Sequence, residues 1–249
     1  MKKILAYPLS ALFYVAFGFL ITLFHPIQVI CFRLFGYESH RSSVVVLNYF
    51  LLKIFLILGS KYRFKGFEKL PKGRPLIIVA NHQSTFDISP IVWGFRKHHA
   101  KFVSKSSLGK GIPSISYNLR HGGSIIIDRK NGQNAIRELI KLGQRIEKDK
   151  YSACIFPEGT RSRDGIVRKF QSGGVRTLLK VAPSALIVPL VIDGNYKLEI
   201  NGVFPLQIGV KLTYTVLDPI EPGKIDPDTL VLEVENRIRK ELGQVLEHV

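Results

Sequence analysis

Residues 75–87 read PLIIVANHQSTFD: a proline and five apolar residues, then a polar turn that contains a histidine and an aspartate. A short, continuous apolar run of this kind is typical of a strand that is buried on both faces, as in a parallel sheet. Similar runs recur further along the chain, at 123–127 (GSIII), 152–156 (SACIF), 186–192 (LIVPLVI) and 208–216 (IGVKLTYTV). We therefore expect all five runs to be strands of one sheet.

Helical patterns lie between and after these runs. Residues 131–148 and 172–181 are predicted to be helices, and 226–247 is predicted to be one amphipathic helix capped by Asp226. Strands that alternate with helices predict an α/β fold, with a mostly parallel central sheet flanked by helices. In such folds the chemistry lies at the carboxyl ends of the strands.

The first 60 residues have a different character. Residues 4–24 form an uncharged stretch that is long enough to cross a bilayer core of about 30 Å. A second apolar stretch covers 43–59. We expect an N-terminal hydrophobic two-helix membrane anchor over 1–60, either as a two-span hairpin or as a pair within one leaflet, followed by the α/β domain with its C-terminal amphipathic helix over 61–249. A cleaved signal peptide is disfavoured because no small-residue cleavage site follows the first run. Two buried helices of a soluble bundle remain the alternative.

The chain is both apolar and basic. Of its 249 residues 46% are hydrophobic, yet the formal net charge is +17, which favours an anionic partner at a membrane. Nucleic acid would explain the charge but not the apolar excess, so no nucleic-acid partner is expected. Cys31 and Cys154 match no disulfide framework or metal spacing. The basic run 96–101 (RKHHAK) is expected to be an exposed surface, facing water or anionic lipid, and not a metal site.

The turn after the first strand carries a candidate catalytic pair. Asp87, five residues after His82, can accept a hydrogen bond from one ring nitrogen and raise the basicity of the other. Alone, this pair does not exclude a solvated turn histidine. Ser84 invites a hydrolase interpretation, but it lacks the G-x-S-x-G elbow, which favours a supporting hydrogen bond.

A second polar turn, 156–162 (FPEGTRS), follows another predicted strand. Gly159 permits close backbone approach, and Arg161 has the planar fork that suits a phosphate. Both turns are expected at the same edge of the sheet.

These segments resemble the ordered motifs of the glycerolipid acyltransferase family, which contains bacterial 1-acyl-glycerol-3-phosphate acyltransferases. Asn81-His82-x-Ser84-x-x-Asp87 is similar to the first motif, and the second, third and fourth resemble 123–129 (GSIIIDR), 156–162 and 188–192 (VPLVI). The resemblance covers about residues 60–215.

The resemblance implies that a fatty acyl group passes from acyl-CoA or acyl carrier protein to the sn-2 hydroxyl of 1-acyl-glycerol-3-phosphate, giving phosphatidic acid without a cofactor or metal. His82 and Asp87 would be catalytic. The implied substrate-binding residues are Lys105, Arg129, Glu158, Gly159, Thr160 and Arg161. Of these, Lys105, Arg129 and Arg161 would hold the phosphate, and backbone N–H groups around Gly159 would stabilise the oxyanion. Glu158 would either position the glycerol or neutralise the arginines.

The implied location is the cytoplasmic face of a bacterial inner membrane, with anionic phospholipids as partners. Three alternatives remain open. The acceptor could be another lyso-lipid, such as a lyso-aminolipid, or glycerol-3-phosphate. The chain could instead be a membrane-anchored basic protein that binds anionic lipid or nucleic acid, or a soluble serine hydrolase.

Overall fold

The computed structural model describes residues 2–127 and 132–244, which contain a single seven-stranded sheet. Its strands are β1 (Lys61–Lys65), β2 (Leu76–Ala80), β3 (Ala100–Lys105), β4 (Ile125–Ile127), β5 (Ser152–Ile155), β6 (Leu186–Asp193) and β7 (Lys211–Val216). They lie in the order β1-β7-β6-β2-β5-β3-β4. Strands β2 to β6 run parallel to one another, whereas β7 is antiparallel to β6 and parallel to β1. All five predicted strands are present, and the predicted α/β class is confirmed.

Helices cover both faces of this sheet. They are α1 (Lys2–Lys53), α2 (Ile88–Gly94), α3 (Ile115–His121), α4 (Gly132–Asp149), α5 (Gly173–Val181), α6 (Asn195–Leu198) and α7 (Pro227–Glu241). Asp226 caps α7 as predicted, its side chain accepting from the backbone N–H groups of Asp228 and Thr229. The sequence predicts that this helix continues to 247, but it ends at Glu241 and residues 242–244 are not helical. Residues 245–247 lie outside the described residues.

The core has two layers because β2 is buried along its whole length. Leu76 and Ile78 pack on one side, in a cluster shared with α1 and α2, and Ile77 and Val79 pack on the other with α4, α5 and α7. This is the burial that a continuous apolar run in a central parallel strand requires.

The N-terminal segment is one continuous element in which two helices meet at Gly36, so the two helices that the sequence predicts are not separated by a loop. Its backbone leaves the helical conformation only at Gly36, with φ 79° and ψ −169°, which a glycine adopts without a steric penalty. The ring centroids of Phe13 and Phe55 lie 5.6 Å apart, and those of Phe24 and Phe50 lie 6.1 Å apart. A straight helix would separate the first pair by about 60 Å. The element therefore reverses at Gly36 and folds back on itself.

This segment is also the one helix, among the described residues, that is long and apolar enough to cross a membrane. Its inner face belongs to the protein core, where Phe13 and Leu52 are fully buried. A row of apolar side chains on the first half of the element is exposed, namely Leu12, Val15, Phe19, Leu23, Ile27 and Ile30.

The expectation of an exposed surface over 96–101 was wrong for two residues. His99 and Lys101 are buried, and Lys101 belongs to the unpredicted strand β3. The Lys101 ammonium donates to the Gly122 carbonyl and lies 2.6 Å from Nε2 of His99. Burial, reinforced by Arg41 and Arg145, lowers the pKa of Lys101 to about 7. Acceptors supplied by distant parts of the chain let the fold bury a lysine here.

Candidate functional site

The candidate catalytic pair lies directly after β2. A short 3₁₀ turn, Thr85–Asp87, leads from this strand into α2 and places Asp87 beneath His82. Nδ1 of His82 lies 2.8 Å from Oδ2 of Asp87. The aspartate side chain is fully buried, whereas the histidine side chain is 19% exposed. The predicted contact between the two residues is therefore formed, with the histidine on the open side.

Four N–H groups surround the Asp87 carboxylate. Besides the His82 ring, the backbone N–H groups of Gln83 and Ser84 donate to Oδ2 at 2.7 and 3.0 Å, and Nδ2 of Asn195 donates to Oδ1 at 2.7 Å. The hydroxyl of Tyr214 in turn donates to Oδ1 of Asn195. Charge-assisted bonds of this kind offset the cost of burying a carboxylate.

These contacts decide which nitrogen of His82 is free to act. A carboxylate that already accepts backbone N–H groups acts as an acceptor for Nδ1–H, so the neutral ring carries its proton on Nδ1. Nε2 then carries the lone pair. The ring is held by stacking on Phe156, with centroids 4.1 Å apart and planes 19° apart. This arrangement suits a general base whose orientation is set by its surroundings.

The second predicted turn lies against the first, as the sheet topology requires. β5 is the direct neighbour of β2, and the backbone N–H of Ser162 donates to the His82 carbonyl at 2.8 Å. Glu158 joins the two turns from the other direction. Its Oε1 accepts from the backbone N–H of His82 at 2.7 Å, and its Oε2 accepts from the backbone N–H of Arg168 at 2.9 Å.

Glu158 thus has a role that neither interpretation of the sequence named: it connects the loops behind the histidine. Burial raises the pKa of its carboxyl group, and the two backbone hydrogen bonds partly oppose that shift. The predicted contact of Glu158 with substrate stays a prediction.

Arg161 lies beside the catalytic turn. Its guanidinium contacts the hydroxyl of Thr85 and lies 3.8 Å from the carboxylate of Glu199, and its side chain is 39% exposed. Glu199 also accepts from the Thr85 backbone N–H at 3.0 Å and from the Ser84 hydroxyl. Ser84 is fully buried, and its oxygen accepts the Phe86 N–H. Ser84 therefore supports the turn through hydrogen bonds, in the manner expected.

The remaining predicted residues lie at the carboxyl ends of neighbouring strands or outside the described residues. Lys105 is exposed at the carboxyl end of β3, two strands from β2, and Gly159 and Thr160 are exposed in the loop after β5. Gly159 has φ +68°, which favours glycine. Arg129 is the predicted residue outside the described ranges, two positions after the end of β4.

Three residues of the site were not predicted: Asn195, Glu199 and Tyr214. Asn195 and Glu199 follow β6, the other neighbour of β2, and the polar turn Asp193-Gly194-Asn195 at the end of that strand was the available signal. Within residues 2–127 and 132–244, no three His, Cys, Asp or Glu side chains are grouped so that they could hold a metal ion.

Comparison with known proteins places this site among acyl-transferring enzymes. A family model described as Acyltransferase matches residues 61–193. The chain is 26% identical over 206 residues to the 1-acyl-sn-glycerol-3-phosphate acyltransferase of Borreliella burgdorferi, covering 82% of this chain and 81% of that one. It is 31% identical over 153 residues to the enzyme of the same name from Pseudomonas aeruginosa, covering 60% of this chain and 57% of that one.

A solved structure agrees over the whole length. The crystal structure of the 1-acyl-sn-glycerophosphate (LPA) acyltransferase PlsC from Thermotoga maritima superposes with a TM-score of 0.77 at 27% identity, covering 100% of this chain and 99% of that chain.

Proposed function

The chain belongs to the acyltransferase family, and we propose that it acylates the free sn-2 hydroxyl of 1-acyl-glycerol-3-phosphate to give phosphatidic acid. The names of its bacterial relatives and of its structural neighbour support this acceptor. The observation that carries the chemistry is the His82–Asp87 pair at the open end of β2.

His82 acts as the general base. Nε2 takes the proton of the acceptor hydroxyl as its oxygen attacks the carbonyl carbon of the acyl thioester, and Asp87 stabilises the imidazolium that forms. When the tetrahedral intermediate collapses, the carbon–sulfur bond breaks, and the imidazolium returns its proton to the departing thiolate. The products are the ester and a free thiol. The acceptor hydroxyl is the nucleophile, so Ser84 forms no covalent intermediate.

The substrate phosphate binds to the cationic side chains at this edge. Arg161 lies beside the turn that carries His82, which supports its assignment to the phosphate, and Lys105 lies along the same edge. Arg129 is assigned here from the sequence motif alone. Backbone N–H groups around Gly159 and Thr160 are assigned to the oxyanion.

Residues 1–60 anchor the protein to a membrane, and 61–249 form the catalytic unit, on the cytoplasmic face of a bacterial inner membrane. The exposed row of apolar side chains on α1 and the basic net charge of the protein support this placement. The inner face of α1 packs directly on the α/β unit, so the proposed anchor and the catalytic unit share a hydrophobic core.

An acceptor panel tests the proposal. Purified protein is incubated in phospholipid vesicles with lysophosphatidate, a lyso-aminolipid or glycerol-3-phosphate, each with acyl-CoA and with acyl carrier protein as donor. We expect phosphatidate from lysophosphatidate with at least one donor, without added metal or cofactor. Product from the lyso-aminolipid alone would contradict the proposed acceptor, and free fatty acid in the absence of acceptor would indicate a hydrolase.

A further inference from the structure

The loop that follows α6 exposes three large apolar side chains to solvent. Ile200 is 59% exposed, Val203 69% and Phe204 48%, within five consecutive residues. A single exposed apolar residue is ordinary, but a contiguous group on one loop is typical of an interaction surface. We call residues 200–204 the apolar loop.

The apolar loop is attached to the first half of α1. The Tyr14 hydroxyl donates to the Val203 carbonyl, and the Leu206 N–H donates to the Ser10 hydroxyl at 2.9 Å. The ring of Tyr7 lies 5.7 Å from that of Phe204 in an edge-to-face contact. These contacts hold the loop against the side of the helix that carries Tyr7, Ser10 and Tyr14.

The loop and the first two turns of the helix therefore expose apolar side chains next to one another. Tyr7, whose ring contacts Phe204, is 53% exposed, and Ile4, three residues before it on the same side of the helix, is 75% exposed. The helix has the length and composition to enter a bilayer. A loop that is held against such a helix is placed at the bilayer together with it.

The apolar loop also begins next to the catalytic turn. Glu199, the residue before it, accepts hydrogen bonds from Ser84 and Thr85 and lies 3.8 Å from Arg161. The loop therefore starts one residue after Glu199, whose carboxylate is hydrogen-bonded to the turn that carries His82.

We propose that the apolar loop is a second membrane contact, which enters the apolar region of the bilayer beside α1 and holds the catalytic turn at the lipid surface. This inference rests on the proposed function, because its occupant is the bilayer that contains the lipid acceptor.

The test reads the environment of the loop directly. Val203→Cys in a Cys31→Ser background is labelled with the fluorophore NBD, since the other cysteine, Cys154, is buried. Val15→Cys on the exposed face of α1 is the positive control, and Leu232→Cys on α7, 56% exposed, is the matched control. The vesicles contain phosphatidylethanolamine and phosphatidylglycerol, with and without nitroxide-labelled lipid.

We expect the label at 203, like that at 15, to brighten at least twofold with vesicles and to be quenched by the nitroxide lipid, while the label at 232 responds to neither. A response at 203 equal to that at 232 overturns the proposal, whether or not position 15 responds. Brightening without vesicles that depends on protein concentration also overturns it, because the loop would then contact a second copy of the chain.

A kinetic variant separates this inference from the proposed function. Val203→Asp changes a side chain outside the catalytic machinery, and we expect it to raise the apparent KM for vesicle-bound lysophosphatidate about tenfold. Turnover of a water-soluble, short-chain lysophosphatidate should stay unchanged, as should both constants of Leu232→Asp. An unchanged apparent KM contradicts the loop's role while leaving the reaction established. Failure of the wild-type protein to acylate either form of lysophosphatidate instead contradicts the proposed function.

Discussion

Asp87→Asn removes the charge that faces His82 while keeping the shape of the side chain. Nδ1 of His82 and Oδ2 of Asp87 are 2.8 Å apart, which places the centres of the imidazolium and carboxylate charges about 4 Å apart. At an effective dielectric constant of about 20, their attraction is about 4 kcal/mol. At about 1.4 kcal/mol per tenfold, its loss slows turnover about a thousandfold, within the range expected of general base catalysis.

The same substitution has a structural consequence that is measured separately. An amide has one acceptor oxygen, whereas a carboxylate has two. If the oxygen of the new asparagine keeps the contacts of Oδ2, its NH₂ group faces the NH₂ group of Asn195, and two donors then meet without an acceptor. We expect a loss of about 1–3 kcal/mol in the free energy of unfolding, seen as a lower melting temperature in detergent.

The assay compares kcat and KM for lysophosphatidate in wild type, Asp87→Asn and Asp193→Asn. Asp193 is an exposed carboxylate at the end of β6 and provides the matched control. We expect the control to keep its kcat, and KM to change less than about threefold in both variants, because neither carboxylate is assigned to the phosphate. Turnover by Asp87→Asn within threefold of the wild-type rate would refute the assigned role of the carboxylate.

Three further predictions concern other side chains. Ser84→Ala should retain activity within about tenfold, since this serine caps a turn, and an acyl group found on Ser84 by mass spectrometry would contradict that role. Glu158→Gln should lower the free energy of unfolding by about 1–3 kcal/mol, because one of two backbone N–H groups loses its acceptor; an unchanged melting temperature in detergent would count against it. Lys101, with a pKa of about 7 instead of 10.5, binds a proton more weakly in the folded state than in the unfolded state. Stability should therefore rise between pH 7 and 9, by up to about 1.4 kcal/mol per pH unit, and Lys101→Met should remove that rise in thermal unfolding curves; identical pH dependence in both proteins would contradict the assignment.

The sheet was largely predictable because its central strands are buried on both faces. A strand such as β2, with five apolar residues in succession, carries that burial in its own sequence. β3 does not: its buried Lys101 depends on acceptors at Tyr37 and Gly122, which only the folded chain brings close. The edge strand β1 alternates exposed and half-buried residues and carries three basic side chains, so no apolar run marked it.

The candidate site divides in the same way. His82 and Asp87 are five residues apart, so the local turn sets their contact. Asn195 and Glu199 reach this turn only because β6 lies next to β2, and strand order is a tertiary property that no local pattern specifies. The reversal of α1 at Gly36 has a similar origin. It is fixed by packing such as that between Phe13 and Phe55, and the residues on either side of the glycine continue the helical pattern.

The central claim is that His82 is the base that activates the acceptor hydroxyl, and its most direct test is the rate of phosphatidate formation by His82→Ala. Wild type and variant are assayed in the same vesicles with lysophosphatidate and the preferred acyl donor, after circular dichroism and vesicle flotation have shown equal folding and binding. We expect the variant to turn over about a hundredfold to ten-thousandfold more slowly, which is the contribution typical of a positioned base. A variant that folds, binds vesicles and still forms phosphatidate at the wild-type rate would contradict the claim.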